Sequence, residues 1–238
     1  MEAFLQKNAA NLGVTLNETQ LKAFKVYLDM LISWNSRMNL TAITDPNQII
    51  IKHFIDSLSL LRFLPRNKPF RIIDAGTGAG FPGAPLAIAA PLLNVTLMDS
   101  LNKRLNFLNE LIKAIGLNNA VTVHSRLEDA GRAKEHREYY HAAVSRAVAR
   151  MSVLAEYCLP LVMPGGHFYA MKGPAGRDET IGAEGIINTL GGRVESFEDI
   201  TMFDSVANEY IRHTIVIIKK IKKTPAGYPR GAGASSRA

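Results

Sequence analysis

The sequence predicts an α/β fold: a doubly wound, mostly parallel seven-stranded sheet with a helical N-terminal cap and an antiparallel strand at its C-terminal end. Two observations carry this reading. From residue 70 onward, short apolar runs ("FRIID", "NVTLMD", "AVTVH", "HAAVSR", "GGHFYAMK") alternate with helical stretches, the pattern of parallel strands joined by crossover helices. The last two runs, "GRVESFEDI" and "RHTIVIIKKI", have no long helix between them, so they are expected to pair antiparallel.

Taken in order, residues 1–66 read as the helical cap. In "NETQLKAFKVYLDMLISWNSRMNL", Asn17 and Gln20 have capping-box spacing, and Leu21, Phe24, Leu28 and Leu31 recur at helical intervals. "PNQIIIKHFIDSLSLLRFL" is a second amphipathic helix with Pro46 at its start, and "PRNKP" ends it. Residues 67–223 carry the sheet. Within them "NKRLNFLNELIKAIG" closes on a glycine suited to a helix C-cap. Residues 224–238, rich in Gly, Pro and Ser, are expected to be a flexible basic tail.

Composition bounds the function classes. The 238 residues, 47% hydrophobic and 21% charged, suit one large core. No apolar run reaches the roughly 18 residues of a membrane helix. The N-terminus lacks a basic segment followed by a long apolar one, so a cytoplasmic protein that touches no membrane is expected. Cys158 is the only cysteine, which excludes an internal disulfide and a cysteine zinc cluster; a buried, inert thiol and no metal are expected. The net charge of +7 has a location. After Glu209 there is no acid, while Arg212, Lys219, Lys220, Lys222, Lys223, Arg230 and Arg237 are all basic. Such asymmetry favours a polyanionic partner.

The stretch "DAGTGAGFPG", residues 74–83, joins the first strand to its helix with almost no side chain. A glycine loop there lets backbone approach a ligand and aims helix N–H groups at it. Gly78 to Gly83 satisfy G-x-G-x-x-G, a weak signal alone. Asp99 ends the second strand, 23 residues after Gly76, where a carboxylate accepts the hydroxyls of a ribose. Asp74, at the loop's threshold, would repel the pyrophosphate of a dinucleotide but favours the ammonium and sulfonium of S-adenosylmethionine; equally, it serves a loop that needs its N–H groups accepted.

Further candidates follow the later strands. Ser125 and Glu128 have capping-box spacing, and the same turn lies beside a cofactor's adenine in such a sheet; the two readings stand level. Arg146 ends the fourth strand at the ligand-binding edge and faces the cleft, since burying it unpaired is costly. Lys172 ends the fifth strand and is a candidate phosphate contact. His53 and Asp56, one helical turn apart, read as a surface pair tying the cap to the sheet. Trp34 reads as core rather than a base-stacking ring, with Asn35 and Asn39 bonding the following turn.

Six ordered motifs, "WNSRMNLTAI", "HFIDSL", "DAGTGAGFPG", "LMDSLNKRLNFL", "SRAVAR" and "RHTIVIIKKIKKTPAGYPR", together resemble the RsmG (glucose-inhibited division protein B) methyltransferases over residues 30–230. The resemblance implies a Rossmann-like class I methyltransferase and S-adenosylmethionine as cofactor. It implies transfer to N7 of a guanine in the 530 loop of small-subunit 16S ribosomal RNA, free or in a ribosomal particle; a monomer is expected. It places the cofactor at Gly76, Gly78, Phe81, Asp99, Leu127, Glu128 and Arg146, and raises Glu128 from a cap to a cofactor contact. No catalytic residue is implied; Arg146 and Lys172 are positioning candidates. Lys219, Lys220, Lys222, Lys223 and Arg230 are the RNA-binding candidates, alternating about the last strand and its end. The family's further proline-rich basic stretch is replaced by "GAGASSRA". Two other readings stay open on sequence: an NAD-dependent oxidoreductase, and a non-catalytic RNA-binding protein.

Overall fold

The computed structural model describes residues 1–146 and 149–231. Among these, seven strands form one sheet: β1 (Phe70–Ala75), β2 (Leu93–Asp99), β3 (Ala120–His124), β4 (Tyr140–Arg146), β5 (Val162–Lys172), β6 (Gly192–Asp204) and β7 (Glu209–Lys220). Their order is β3-β2-β1-β4-β5-β7-β6. The first five are mutually parallel, and β7 runs antiparallel between β5 and β6. The order in which strands are added reverses between β1 and β4, so a crevice opens at the carboxyl ends of those two strands.

Helices cover both faces. On one lie α1 (Glu2–Ala10), α2 (Glu18–Met38), α3 (Pro46–Ile49), α4 (Asp56–Leu58), α5 (Gly83–Ala89) and α6 (Asn102–Ile115). On the other lie α7 (Leu127–Ala130), α8 (Met151–Cys158), α9 (Gly176–Gly182) and α10 (Glu184–Thr189). The N-terminal helices share one continuous apolar core with β1, β2 and α6, through Phe24, Tyr27, Phe54 and Phe107. Asn17 and Gln20 make both bonds of the capping box, each at 2.9 Å. Gly116 closes α6 at φ 63°, the left-handed conformation that glycine adopts without a Cβ penalty. Trp34 packs edge-on against Phe107, and Cys158 is fully buried.

The second helix departs from the predicted single α-helix. Asp45 caps it by accepting the Gln48 N–H at 2.8 Å. Between α3 and α4, residues Ile50–Ile55 widen into a π-helix, and Ser59–Arg62 tighten into a 3₁₀ turn. Widened turns of this kind recur where a helix must present side chains to a site.

The expected flexible tail does not begin at residue 224. The Arg137 guanidinium donates to the carbonyls of Thr224, Pro225 and Tyr228, and Arg132 donates to that of Pro229. Residues 224–231 thus lie docked against the protein; residues 232–238 of that segment lie outside the described residues, as do Ala147 and Val148 of the "SRAVAR" motif. Among the described residues no helix is long and apolar enough to cross a membrane, and no group of three or more His, Cys, Asp or Glu is placed to hold a metal.

Candidate cofactor cleft

A cleft of about 460 Å³ opens at the carboxyl edge of the sheet, within the range of small-molecule sites. All seven predicted cofactor residues, Gly76, Gly78, Phe81, Asp99, Leu127, Glu128 and Arg146, line it.

The glycine loop is held from behind and below. Asp74 is fully buried, and its Oδ2 accepts from the Thr77 hydroxyl at 2.6 Å and the Gly83 N–H at 2.7 Å. Burial pushes its pKa up to about 6, against the pull of those two bonds. The carboxylate therefore serves the loop and does not line the cleft, so its selection of a cationic cofactor is not by contact. Gly83 has to be glycine: a Cβ there would sit 2.4 Å from Leu97 Cδ2 and 2.8 Å from Asp74 Oδ2. Asp99 also works on the loop. Its carboxylate accepts from the N–H groups of Gly78 (2.9 Å) and Leu101 (2.8 Å) and from Arg104 at 3.3 Å. Four lone-pair sites leave it capacity beyond these three donors.

Two observations fit a bound nucleoside. Gly78 has φ 60°, and a Cβ there would meet no protein atom within 4 Å, so the loop presents bare backbone to open space. Glu128 as a residue is only 8% exposed, and among the described residues its carboxylate, which lines the cleft, makes no hydrogen bond or ion pair. An acceptor that opens on the cleft with no protein donor is free to take one from a ligand. The capping box predicted for Ser125 and Glu128 does not form. Here α7 starts after Arg126, which makes no side-chain cap, and Ser125 Oγ donates to the Arg126 carbonyl instead.

The wall between cleft and cap is a stack that sequence spacing did not reveal. Phe81 lies between Tyr27 (ring centroids 5.4 Å) and His53 (4.6 Å), and the Arg146 guanidinium sits 5.1 Å from its centroid. Arg146 Nη1 donates to Asp56 Oδ2 at 2.9 Å and to the Lys52 carbonyl at 3.0 Å; Nη2 lies 3.1 Å from His53 Nδ1. His53 Nδ1 thus lies between an Arg146 donor and the Lys52 carbonyl at 3.0 Å, while Nε2 faces the Thr41 hydroxyl at 2.8 Å. Burial, with the arginine charge, lowers the His53 pKa to about 4, so the ring is neutral. His53 and Asp56 are therefore not a surface pair. Arg146 stands between them and ties the π-helical segment to the end of β4.

Lys172 Nζ donates to the Ala149 carbonyl at 2.9 Å and pairs with Glu179 at 2.7 Å, beside an adjoining pocket. The five predicted RNA-binding residues separate. Lys222 and Lys223 are exposed, and Lys219 is half-buried beside His167. Lys220 is not a surface cation: it is fully buried, bonding the carbonyls of Leu159 and Leu190 and the Thr224 hydroxyl. Burial lowers its pKa to about 8. Arg230 pairs with the buried Glu156 at 2.7 Å, which anchors the docked segment to α8.

Comparison with known proteins agrees with this architecture. A solved structure of an S-adenosylmethionine-dependent methyltransferase from Methanosarcina mazei shares the fold at a TM-score of 0.53 and 14% identity, over 69% of this chain and 97% of that one. M. jannaschii TYW2, solved in complex with AdoMet, gives 0.51 at 14% identity, over 65% of this chain and 71% of that one. Relatives in sequence are far nearer. The ribosomal RNA small subunit methyltransferase G of Desulforamulus reducens is 47% identical over 229 residues, 96% of this chain and 94% of the relative. That of Lactobacillus johnsonii is 46% identical over 233 residues, 97% and 96% of the two chains. The family model for GidB, rRNA small subunit methyltransferase G, matches residues 20–204, so the chain belongs to that family.

Proposed function

We propose that this protein transfers the methyl group of S-adenosylmethionine to N7 of a guanine in the 530 loop of small-subunit ribosomal RNA. The observation that carries the cofactor part is Glu128, largely buried in the cleft wall with a carboxylate that has no protein donor among the described residues, in the same cleft as a loop of bare backbone. The family supports the RNA part.

In this reading Gly76, Gly78 and Phe81 bind the cofactor through backbone and ring, Leu127 and Glu128 hold its adenine, and the spare lone pairs of Asp99 face its ribose. The cofactor supplies an electrophilic methyl on a sulfonium. What the chain does is hold a base in line with it, and orientation of that kind is worth several kcal/mol of barrier. Guanine N7 carries a lone pair and no proton, so no residue has to act as a base. The neutral His53 and the paired Arg146 fit a site that positions rather than titrates. Lys222 and Lys223 supply exposed charge for the RNA backbone. The NAD alternative is tested alongside: S-adenosylmethionine, not NAD, is expected to raise the melting temperature. Labelled methyl transfer to ribosomal RNA, with digestion to nucleosides, is expected to give 7-methylguanosine. Stabilisation by NAD, or label in another nucleoside, would overturn the proposal.

A further inference from the structure

Beside the cofactor cleft lies a second pocket, of about 280 Å³, bounded by the ends of β5, β6 and β7. Arg146 lines both, so one side chain forms the partition between them. Along the second pocket's wall three groups are bonded in series: Arg146 to Asp56 Oδ2 at 2.9 Å, and Asp56 Oδ1 to His213 Nδ1 at 3.1 Å. The proton between Asp56 and His213 sits on Nδ1, which leaves Nε2 as an acceptor. That Nε2 is buried and has no hydrogen-bond partner among the described residues. Burial lowers the His213 pKa, with the nearby Arg146 charge acting in the same direction and Asp56 opposing it, so the ring stays neutral. Taken in bonding order from the cofactor side, the three groups run donor, acceptor, acceptor.

We propose that this pocket takes the target guanine, with Arg146 donating to O6, Asp56 accepting from N1–H and His213 Nε2 accepting from the 2-amino group. Guanine presents N7, O6, N1–H and N2–H₂ in that order around its edge. Matching the last three to the wall leaves N7 next to the partition, facing the cofactor cleft. Bases displaced from a helix or loop are commonly read on this edge. Adenine would turn an amine toward the Arg146 donor and a lone pair toward the Asp56 carboxylate, two repulsive contacts. Carboxylate oxygens carry two lone pairs each, so Asp56 can accept from the base while keeping Arg146 and His213.

The charge balance of the reaction fits the same carboxylate. The N7 lone pair forms the new bond to the methyl carbon as the carbon–sulfur bond breaks, and that bond's electrons return to sulfur. Positive charge moves onto the purine and no proton leaves. Asp56 then faces a more acidic N1–H and a cationic ring, an attraction that strengthens on transfer and opposes the repulsion from Arg146 and from Lys52 and Lys172, which also line the pocket.

The inference rests on the function proposed above, and its test separates the two. Gly173 lines the pocket, and a Cβ built there meets no atom within 4 Å, so Gly173→Phe brings a ring to the pocket from a position where the new Cβ clashes with nothing. Its cofactor affinity and melting temperature are expected to stay within error, while methylation falls at least a hundredfold. Methylation at the parent rate would overturn the assignment. The second arm uses RNA with inosine, which lacks the 2-amino group, at the target position. The parent should lose about tenfold or more in kcat/KM, the scale of a specific base contact. His213→Ala should treat guanine and inosine alike, a loss of discrimination that a structural role would not produce; undiminished discrimination would overturn the assignment of His213. If the parent makes no 7-methylguanosine at all, the functional reading fails rather than the pocket.

Discussion

Arg146→Met tests how the cleft is held together. The substitution keeps an unbranched apolar side chain and removes the guanidinium with its contact to the Phe81 ring. It deletes the bonds to Asp56 at 2.9 Å, to the Lys52 carbonyl at 3.0 Å and to His53 Nδ1 at 3.1 Å. The Asp56 side chain is only 12% exposed, and its remaining side-chain partner, His213, is held neutral by burial. Leaving one member of a buried pair uncompensated costs about 3–5 kcal/mol. In a chain of this length each kcal/mol moves Tm by roughly 2–4 °C, so a fall of about 10 °C is expected. Asp56→Asn in the same background removes the stranded charge. The double variant should therefore be more stable than the sum of the two single losses allows, with a coupling of about 2 kcal/mol. Urea unfolding of the four proteins measures this. Additivity within about 0.5 kcal/mol, or a loss under 1 kcal/mol for Arg146→Met, would show an ordinary solvated ion pair and refute the reasoning.

Three further outcomes follow from the same geometry. Lys220→Met should destabilise by about 1–3 kcal/mol, by stranding the Leu159 carbonyl, while leaving the salt dependence of RNA binding unchanged; a lowered slope would return Lys220 to the surface. Neutralising the exposed Lys222 and Lys223 to Gln should do the reverse, lowering the log–log salt slope by about 1.5 with cofactor affinity unchanged, and equal slopes would mean these charges only aid solubility. His53 has a folded pKa of about 4 against 6.5 in the unfolded chain, so the unfolded state takes the proton first. Its contribution is present above pH 6.5 and is lost as pH falls through 4, by about 3 kcal/mol in all. Asp74, raised to about 6, acts in the opposite sense over part of this range. The stability gap between parent and His53→Gln is therefore the quantity to follow, and it should narrow between pH 7 and pH 4; a constant gap would contradict a neutral, buried ring.

The sheet was legible because its signals are local: apolar strands, a glycine loop, Asn17 and Gln20 three apart, Gly116 at a helix end. The cleft was legible to the same degree, since its residues follow strand ends. What escaped was decided at long range. Nothing in "HFIDSL" shows that Arg146, ninety residues on from Asp56, will insert between His53 and Asp56, nor that Ile50–Ile55 will widen into a π-helix. Lys220 looked like its neighbours in "KKIKK", but carbonyls 61 and 30 residues away claim its ammonium. Ser125 and Glu128 had the spacing of a cap. The chain instead turns one residue later and leaves the carboxylate to the cleft.

The most direct measurement is the position of the methyl group. Small-subunit ribosomal RNA lacking the modification, both naked and in subunit particles, is incubated with the protein and S-adenosylmethionine, then cleaved chemically at 7-methylguanosine. A single new cleavage in the 530 loop, absent without the protein, is the predicted result. Cleavage at another guanine, or none in either form of the RNA, would contradict it.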